Sequence, residues 1–446
     1  MELPDIQDAR PLSLPNTTEV FQILPATSQN TTDPQNGSSG WGSVYDAHPL
    51  RRPNTTRVLE ILPATTQDMT DTISCRLSVI SLDPPFWPRA HNLLFVDYAL
   101  DYRAVSYEWG DPSITHDIII DDNPFPIRAN LWNFLSQARR EGFSRALWID
   151  AICINQKDIE ERSSQVAIMG LIYSKAMDVR AWVGLGTERH YLAFQHIAEI
   201  DWQVEVIEVQ QVEHGQQSRA IERRLDSVSI VLHLEYWSRL WIIQEYALAR
   251  SVTIQCGPQV LPGVTLDHLA NVVGLLNKAR SRSYGSSLFH SAGVRVLLSR
   301  RFHTGKSRLA IPAGLYLCIL IIESQGAKAS YTDLHDQVYA LLSLNSIARS
   351  EIKPDYRKPL LQLFLEVILF LDGESETDPE SISFMTQATV MMQKRLSLHD
   401  CSEATQARLR LKAYLESDNR RLYRRITRVI AQVLQRDIYL FLAKLL

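Results

Sequence analysis

No two cysteines in this chain stand in CxxC or CxxxC spacing. The five present, Cys75, Cys153, Cys256, Cys318 and Cys401, are odd in number and widely scattered. That argues against a disulfide framework or a zinc site and fits a reducing compartment. The twelve histidines form no HExxH or comparable pair, so no metal is expected. A basic excess is missing too. With a net charge of -4 and a pI near 6.3, nucleic acid is not an expected partner. Long apolar runs are absent: LYLCILII from Leu315 and PLLQLFLEVILFL from Pro359, which carries Gln362 and Glu366, fall short of the roughly 20 residues a spanning helix needs. The opening MELPDIQDARPLSLPNTT has neither a basic region nor an apolar stretch, so no secretory leader is expected and a cytoplasmic chain is. The Asn-x-Thr matches at Asn16, Asn30 and Asn54 then read as accidental. HTGKS at His303 ends like a phosphate-binding loop, but Arg300 stands where its first glycine belongs.

What is present is ordinary globular material. The 446 residues are 45% hydrophobic and 22% charged, enough for one large core or two modest ones. Residues 1–52 are rich in Pro, Ser, Thr, Asn and Gly, and disorder is expected there. They contain a duplication: PNTTEVFQILPATSQNTTD from Pro15 returns as PNTTRVLEILPATTQDMTD from Pro53, leading into the strand-like ISCRLSVISL.

From there strand and helix patterns alternate. YRAVSY reads as a strand closed by the turn cluster Trp109, Gly110, Asp111 and Pro112. DIII and FPIR read as a hairpin around Asp121 to Pro124. ANLWNFLSQARR puts Leu131, Phe134, Leu135 and Ala138 on one helical face. ALWIDAICI reads as one fully apolar interior strand. Asp158 then sits as an N-cap with Glu161 three residues on, a variant of the capping box, before a helix striped by Val166, Met169, Ile172, Tyr173 and Ala176. VRAWVG is the next strand, giving a strand, helix, strand unit with parallel strands. EYWSRLWIIQEYALAR reads as a helix with Trp237, Trp241, Gln244 and Leu248 on one face and Glu245 one turn from Trp241. VTIQCG reads as the last strand.

One residue breaks the apolar pattern. Asp150 interrupts ALWIDAICI, and a carboxylate there is costly unless paired or hydrogen-bonded. Two readings stand: a structural acid receiving hydrogen bonds, or a group belonging to a site at the carboxyl ends of the strands, where Asn155 and Gln156 would join it. Cys153 reads as a small buried thiol. Beyond about residue 260 the chain reads mostly helical. Its last fifty residues combine Leu, Ile and Val at helical spacing with an Arg-rich face, open to packing on their own domain or to contact with an anionic membrane or a partner.

AVSYEWGDP at Ala104, LWIDAICINQ with its downstream ER and QV pairs and IYSKA, and YWSRLWIIQE at Tyr236, in that order, resemble the fungal heterokaryon incompatibility (HET) domain. The likeness runs from about Tyr102 to Glu245. The later DLHDQVYALLSL and PDYRKP (Asp333 to Pro359) are similar to the segment downstream of the domain in such proteins, except that His335 stands for the usual Arg and Gln337 for the usual Lys. The resemblance implies a HET domain over 53–260, with a core of 102–246 and an insertion over about 185–235, followed by a helical region over 261–446. It implies a role in fungal non-self recognition that ends in growth arrest or cell death, with another incompatibility protein as trigger and self-association as a further mode of assembly.

HET domains are in turn distantly similar to TIR domains. This implies a doubly wound, mainly parallel, flavodoxin-like α/β sheet and, for Glu245, the position of the catalytic acid in those TIR members that cleave NAD. Ser106, Trp109, Gly110, Asp150, Asn155, Gln156 and Trp241 would then line the ligand site, with NAD as substrate and no resident cofactor. A non-catalytic module acting through partner binding is the alternative.

Overall fold

The computed structural model describes residues 41–64, 72–83, 99–200, 219–263, 265, 268, 291–303, 321, 333–372 and 379–417. All of them belong to one compact unit, Gly40–Leu446. The first copy of the duplication, the Glu- and Gln-rich stretch after residue 200, all of HTGKS but His303, and the basic segment after residue 417, expected to be helical, lie outside the described residues.

Among the described residues nine strands form one sheet: β1 (Thr55–Ile61), β2 (Ser74–Ser81), β3 (Leu100–Tyr107), β4 (Thr115–Ile120), β5 (Asn123–Arg128), β6 (Ala146–Trp148), β7 (Ala176–Trp182), β8 (Val252–Cys256) and β9 (Gln259–Pro262). Their order is β5-β4-β2-β1-β6-β3-β7-β8-β9. The helices are α1 (Trp41–Ala47), α2 (Ala129–Arg140), α3 (Asp150–Cys153), α4 (Ile159–Lys175), α5 (Glu188–Ala198), α6 (Arg219–Leu232), α7 (Ile242–Leu248), α8 (Ala292–His303), α9 (Asp336–Leu342), α10 (Ser346–Glu351), α11 (Leu360–Asp372), α12 (Pro379–Arg395) and α13 (Ser402–Ser417).

The fold is α/β, but the sheet is mixed, which corrects the expectation of a mainly parallel one. β6, β3, β7 and β8 run parallel to their neighbours in that block, whereas β1 lies antiparallel to both β2 and β6, and β9 antiparallel to β8. The cause is the second copy of the duplicated lead-in. It forms β1 and takes an interior slot, so the parallel block is continued by two antiparallel pairs, β1–β2 and β4–β5, joined by the parallel pairing of β2 with β4. Residues 41–47, expected within a disordered segment, form α1 and bury Val44 and Tyr45, because apolar side chains there find a face of the sheet to cover.

Side chains alternate across the central strands and feed two cores, one on each face. Leu59, Val105, Leu147 and Trp182 pack with α2, while Val58, Ala104, Trp148 and Val179 pack with α4. The expected α2 face is buried at Leu131, Phe134, Leu135 and Ala138. The β4–β5 hairpin closes through Asp121 and Asp122, both at positive φ (47° and 63°), the twist a two-residue turn needs and one Asp tolerates. Asp158 caps α4 as expected, accepting from the Glu160 and Glu161 amides at 2.9 and 3.1 Å. Glu161 does not complete a capping box. Its carboxylate takes both arms of Arg57, at 2.6 and 3.0 Å, and the Asn155 amide at 2.6 Å.

Two other expectations are revised. β6 ends at Trp148, and ALWIDAICI is a three-residue strand followed by a helical turn. Ile149 and Ile152 are nonetheless fully buried. EYWSRLWIIQE is likewise broken, into a 3-10 turn (Glu235–Ser238) and α7, so its tryptophans share no single stripe.

The helical residues after 330 share the α4-side core, with Val338, Leu341 and Phe364 among its members. Gly170 of α4 sits where helices meet: a Cβ there would lie 2.6 Å from Ser343 Cβ and 3.1 Å from Leu248 Cδ1. Alanine gains intrinsic helix preference at this position, but the overlap outweighs it. Gly170→Ala is expected to cost about 1–3 kcal/mol, read as a lower midpoint in urea unfolding; an unchanged or raised midpoint would show that the helices move apart freely.

Candidate functional site

The carboxyl end of β3 gathers the charged residues that the sequence scatters. Ser106 and Tyr107, adjacent on an alternating strand, point to opposite faces. On the α4 side, Ser106 Oγ donates to the Glu245 carboxylate and lies 2.7 Å from Tyr236 Oη. On the other side the Asp150 carboxylate accepts from the Trp109 indole at 2.9 Å and the Ala151 amide at 2.8 Å, and from the Tyr107 hydroxyl. Arg239 stands between them, donating to the Tyr107 carbonyl and coupled to both acids.

A buried carboxylate, Glu245, and a partly buried one, Asp150, therefore lie in the field of one guanidinium. Burial pushes the Glu245 carboxyl up to about 7, against the opposing pull of Arg239 and of the Ser106 hydrogen bond. Asp150 is raised by the same cause, opposed by Arg239 and its hydrogen bonds. Burial works against the charge on Arg239, yet Glu245 and Asp150 together hold its pKa above the ordinary value. Tyr236 and Tyr107 are raised mainly by burial, so both remain phenols.

Beside this network opens a cleft of about 170 Å³ lined by Tyr45, Tyr107, Trp109, Phe125, Arg128 and Gln156 among others. Arg128 lies over the Trp109 ring at 5.1 Å and donates to the Gly110 carbonyl at 3.0 Å. Gly110, at φ 73°, turns the chain in a conformation that side chains disfavour. Gln156 Nε2 donates to the Asp150 carbonyl at 2.8 Å, and Asn155 Oδ1 accepts from the Lys157 amide at 3.2 Å.

The eight residues expected at the site are thus divided. Trp109, Asn155 and Gln156 line the cleft, with Gly110 and Asp150 holding its edge. Ser106 and Glu245 lie behind it, Glu245 only 1% exposed. Trp241 turns away and hydrogen-bonds Asp336, which corrects its expected place at the crevice: it opens α7 one turn before Glu245, as expected, but the extended Arg239 separates that helix from Trp237. Sequence reasoning missed Arg239, Tyr236, Tyr107 and Tyr45. For Arg239 the signal was available, a cation inside the aromatic run YWSRLW, the same anomaly that marked Asp150. Among the described residues no cluster of three potential metal ligands occurs.

The polar network is built almost wholly from β3, the turn after β6 and the YWSRLWIIQE segment, three blocks far apart in sequence. The family model of the heterokaryon incompatibility protein (HET) matches the region that contains them, residues 102–245. Over those residues the chain is similar to the HET domain. A heterokaryon incompatibility protein 6, OR allele, from Neurospora crassa is 27% identical over 305 residues, covering 57% of this chain and 44% of the relative. The chain thus spans less than half the length of that curated relative. No solved structure matches it.

The HET block begins two residues into β3 and ends on Glu245 itself. It leaves out β1, with Arg57, and the α9 segment, with Asp336, although both touch elements of the block.

Proposed function

We propose that this chain acts in heterokaryon incompatibility, as an effector that arrests growth or kills the cell when an incompatibility protein of another genotype engages it. The observation that carries this reading is the pair of hydrogen bonds Ser106–Glu245 and Trp109–Asp150 with the Arg239 charge near both acids, which brings the three HET blocks together at one end of the sheet. The similarity to the Neurospora protein supports it.

Signalling through binding is the mode the geometry favours. Glu245 is almost fully covered, and the neighbouring cleft, about 170 Å³, is smaller than the roughly 300–1,000 Å³ of ordinary ligand pockets. Cytoplasmic action fits the reading; among the described residues no helix is long and apolar enough to cross a membrane. The second mode is TIR-like NAD cleavage. It is supported by the parallel order β6-β3-β7-β8, with Glu245 and the cleft at the same strand ends, and by a carboxyl near 7 that is poised to change charge. In that mode assembly would have to uncover Glu245, whose carboxylate would stabilise positive charge developing on the ribose as nicotinamide leaves.

The test is expression of the full chain in a fungal host together with its trigger, reading growth and cellular NAD in parallel for wild type and Glu245→Gln. The amide keeps the shape and the acceptor for Ser106. Growth arrest at constant NAD, retained in the variant, is the expected result. NAD loss with wild type that disappears with Glu245→Gln would establish the second mode, and no arrest with either chain would remove the effector reading.

A further inference from the structure

Outside the HET block, residues 333–359 are held against it through contacts to four of its residues, Arg162, Ser163, Glu160 and Trp241. Arg162 of α4 pairs with Asp333 at 3.0 Å and lies 3.7 Å above the Tyr356 ring. The Tyr356 amide donates to Ser163 Oγ at 3.2 Å, and Arg357 pairs with Glu160 at 2.9 Å. His335 fixes the two ends of the segment together, with Nδ1 2.6 Å from Asp333 and Nε2 2.6 Å from the Lys358 carbonyl. The Arg-to-His departure from the usual pattern therefore keeps a polar tie at this position.

The fourth contact reaches the site. Asp336 is 7% exposed, a carboxylate that would be costly without partners. Its two hydrogen bonds come from Tyr356 Oη, at 2.7 Å, and from Trp241. Trp241 is the N-cap of α7, and its carbonyl accepts from the Gln244 and Glu245 amides, both at 3.1 Å. α9 packs directly on α7. A helix of seven residues has little stability of its own, so its first turn depends on what holds its N-terminus.

We propose that Asp336 is a positioning residue of the HET site: by holding the Trp241 indole it fixes the first turn of α7 and so the placement of Glu245, while Arg162 and Tyr356 hold Asp336 in register. Residues 333–359 are then a working part of the domain. The functional consequence rests on the effector reading above, whereas the structural claim stands by itself. Burial pushes the Asp336 carboxyl up to about 6 against both hydrogen bonds, so at pH 7.5 it is mainly the charged acceptor that Trp241 meets.

The experiment uses the full chain at pH 7.5 with two variants. Asp336→Asn weakens both acceptor contacts, and Tyr356→Phe removes one donor while keeping the ring under Arg162. Amide hydrogen exchange is followed at Gln244 and Glu245, with the β4–β5 hairpin as internal reference. Loss of a charge-assisted hydrogen bond should raise exchange at the two α7 amides by about tenfold in Asp336→Asn and by less in Tyr356→Phe, with the hairpin unchanged. Equal acceleration at both places would mean only global loosening, and no acceleration would mean that Trp241 holds itself; either result overturns the proposal. Growth arrest in the host is read alongside. If exchange behaves as expected but arrest is untouched, the positioning role stands and the effector reading of this site fails.

Discussion

Arg239→Met is expected to remove about 3–5 kcal/mol of stability at pH 8, because deleting the guanidinium leaves the buried Glu245 carboxylate and the partly buried Asp150 without a counter-charge. The side-chain volume is nearly kept, so packing contributes little. The loss should be clearly smaller at pH 5. The Glu245 carboxyl is raised in the folded protein from 4.5 to about 7, so between those values the folded state binds more protons than the unfolded one. Its contribution to stability is therefore present below the unfolded value and lost as the pH rises through about 7. Asp150 shifts in the same direction. Removing Arg239 raises both further, and protonation at pH 5 relieves what ionisation at pH 8 aggravates. Urea unfolding at the two pH values gives the measurement. Equal losses at both, or a loss below about 1 kcal/mol at pH 8, the level of an exposed ion pair, would mean that the network is solvated.

A loss of similar size is expected from Arg57→Met. Arg57 is 1% exposed and satisfies Glu161 through both arms, the His48 carbonyl at 2.7 Å and the Cys153 carbonyl at 3.2 Å. Removal strands a largely buried carboxylate and two carbonyls, again about 3–5 kcal/mol. The double variant Arg57→Met/Glu161→Gln should recover part of it, the mark of a coupled pair; strictly additive losses would argue that Arg57 acts by packing alone. Arg57→Glu should be worse than Arg57→Met, since it sets two acids face to face. That substitution is the one the duplication already carries: the first copy has Glu19 where the second has Arg57. The two copies are thus not interchangeable as the strand beside Glu161.

Much of this arrangement was legible in the sequence. Periodicity placed α2, the β4–β5 hairpin, α4 with its Asp158 cap, and β7, because those elements depend on local alternation, capping and turn chemistry that a short window contains. The oddity of Asp150 pointed to hydrogen-bonded burial, and the Trp109 indole and Ala151 amide supply it. Where the reading failed, it failed over short apolar runs. ALWIDAICI is equally compatible with strand and with buried helical turn, and the choice falls to helix after Trp148 because Asp150 there reaches Trp109 and its neighbour's amide. YWSRLWIIQE breaks for a similar reason, since Arg239 must reach the Tyr107 carbonyl from a non-helical position.

The sequence by itself determined the local elements, the family likeness, and the existence of a misplaced charge at Asp150 that would need a partner. Only the tertiary structure decided which partners Asp150 and Glu245 found. Asp150 and Glu245 share Arg239 across the end of one strand, Trp241 leaves the cleft for Asp336, and the lead-in strand enters the sheet antiparallel. The physical reason is that pairing a buried charge is settled by what the chain brings within a few ångströms in space, and spacing along the sequence carries that information only inside a single helix or hairpin.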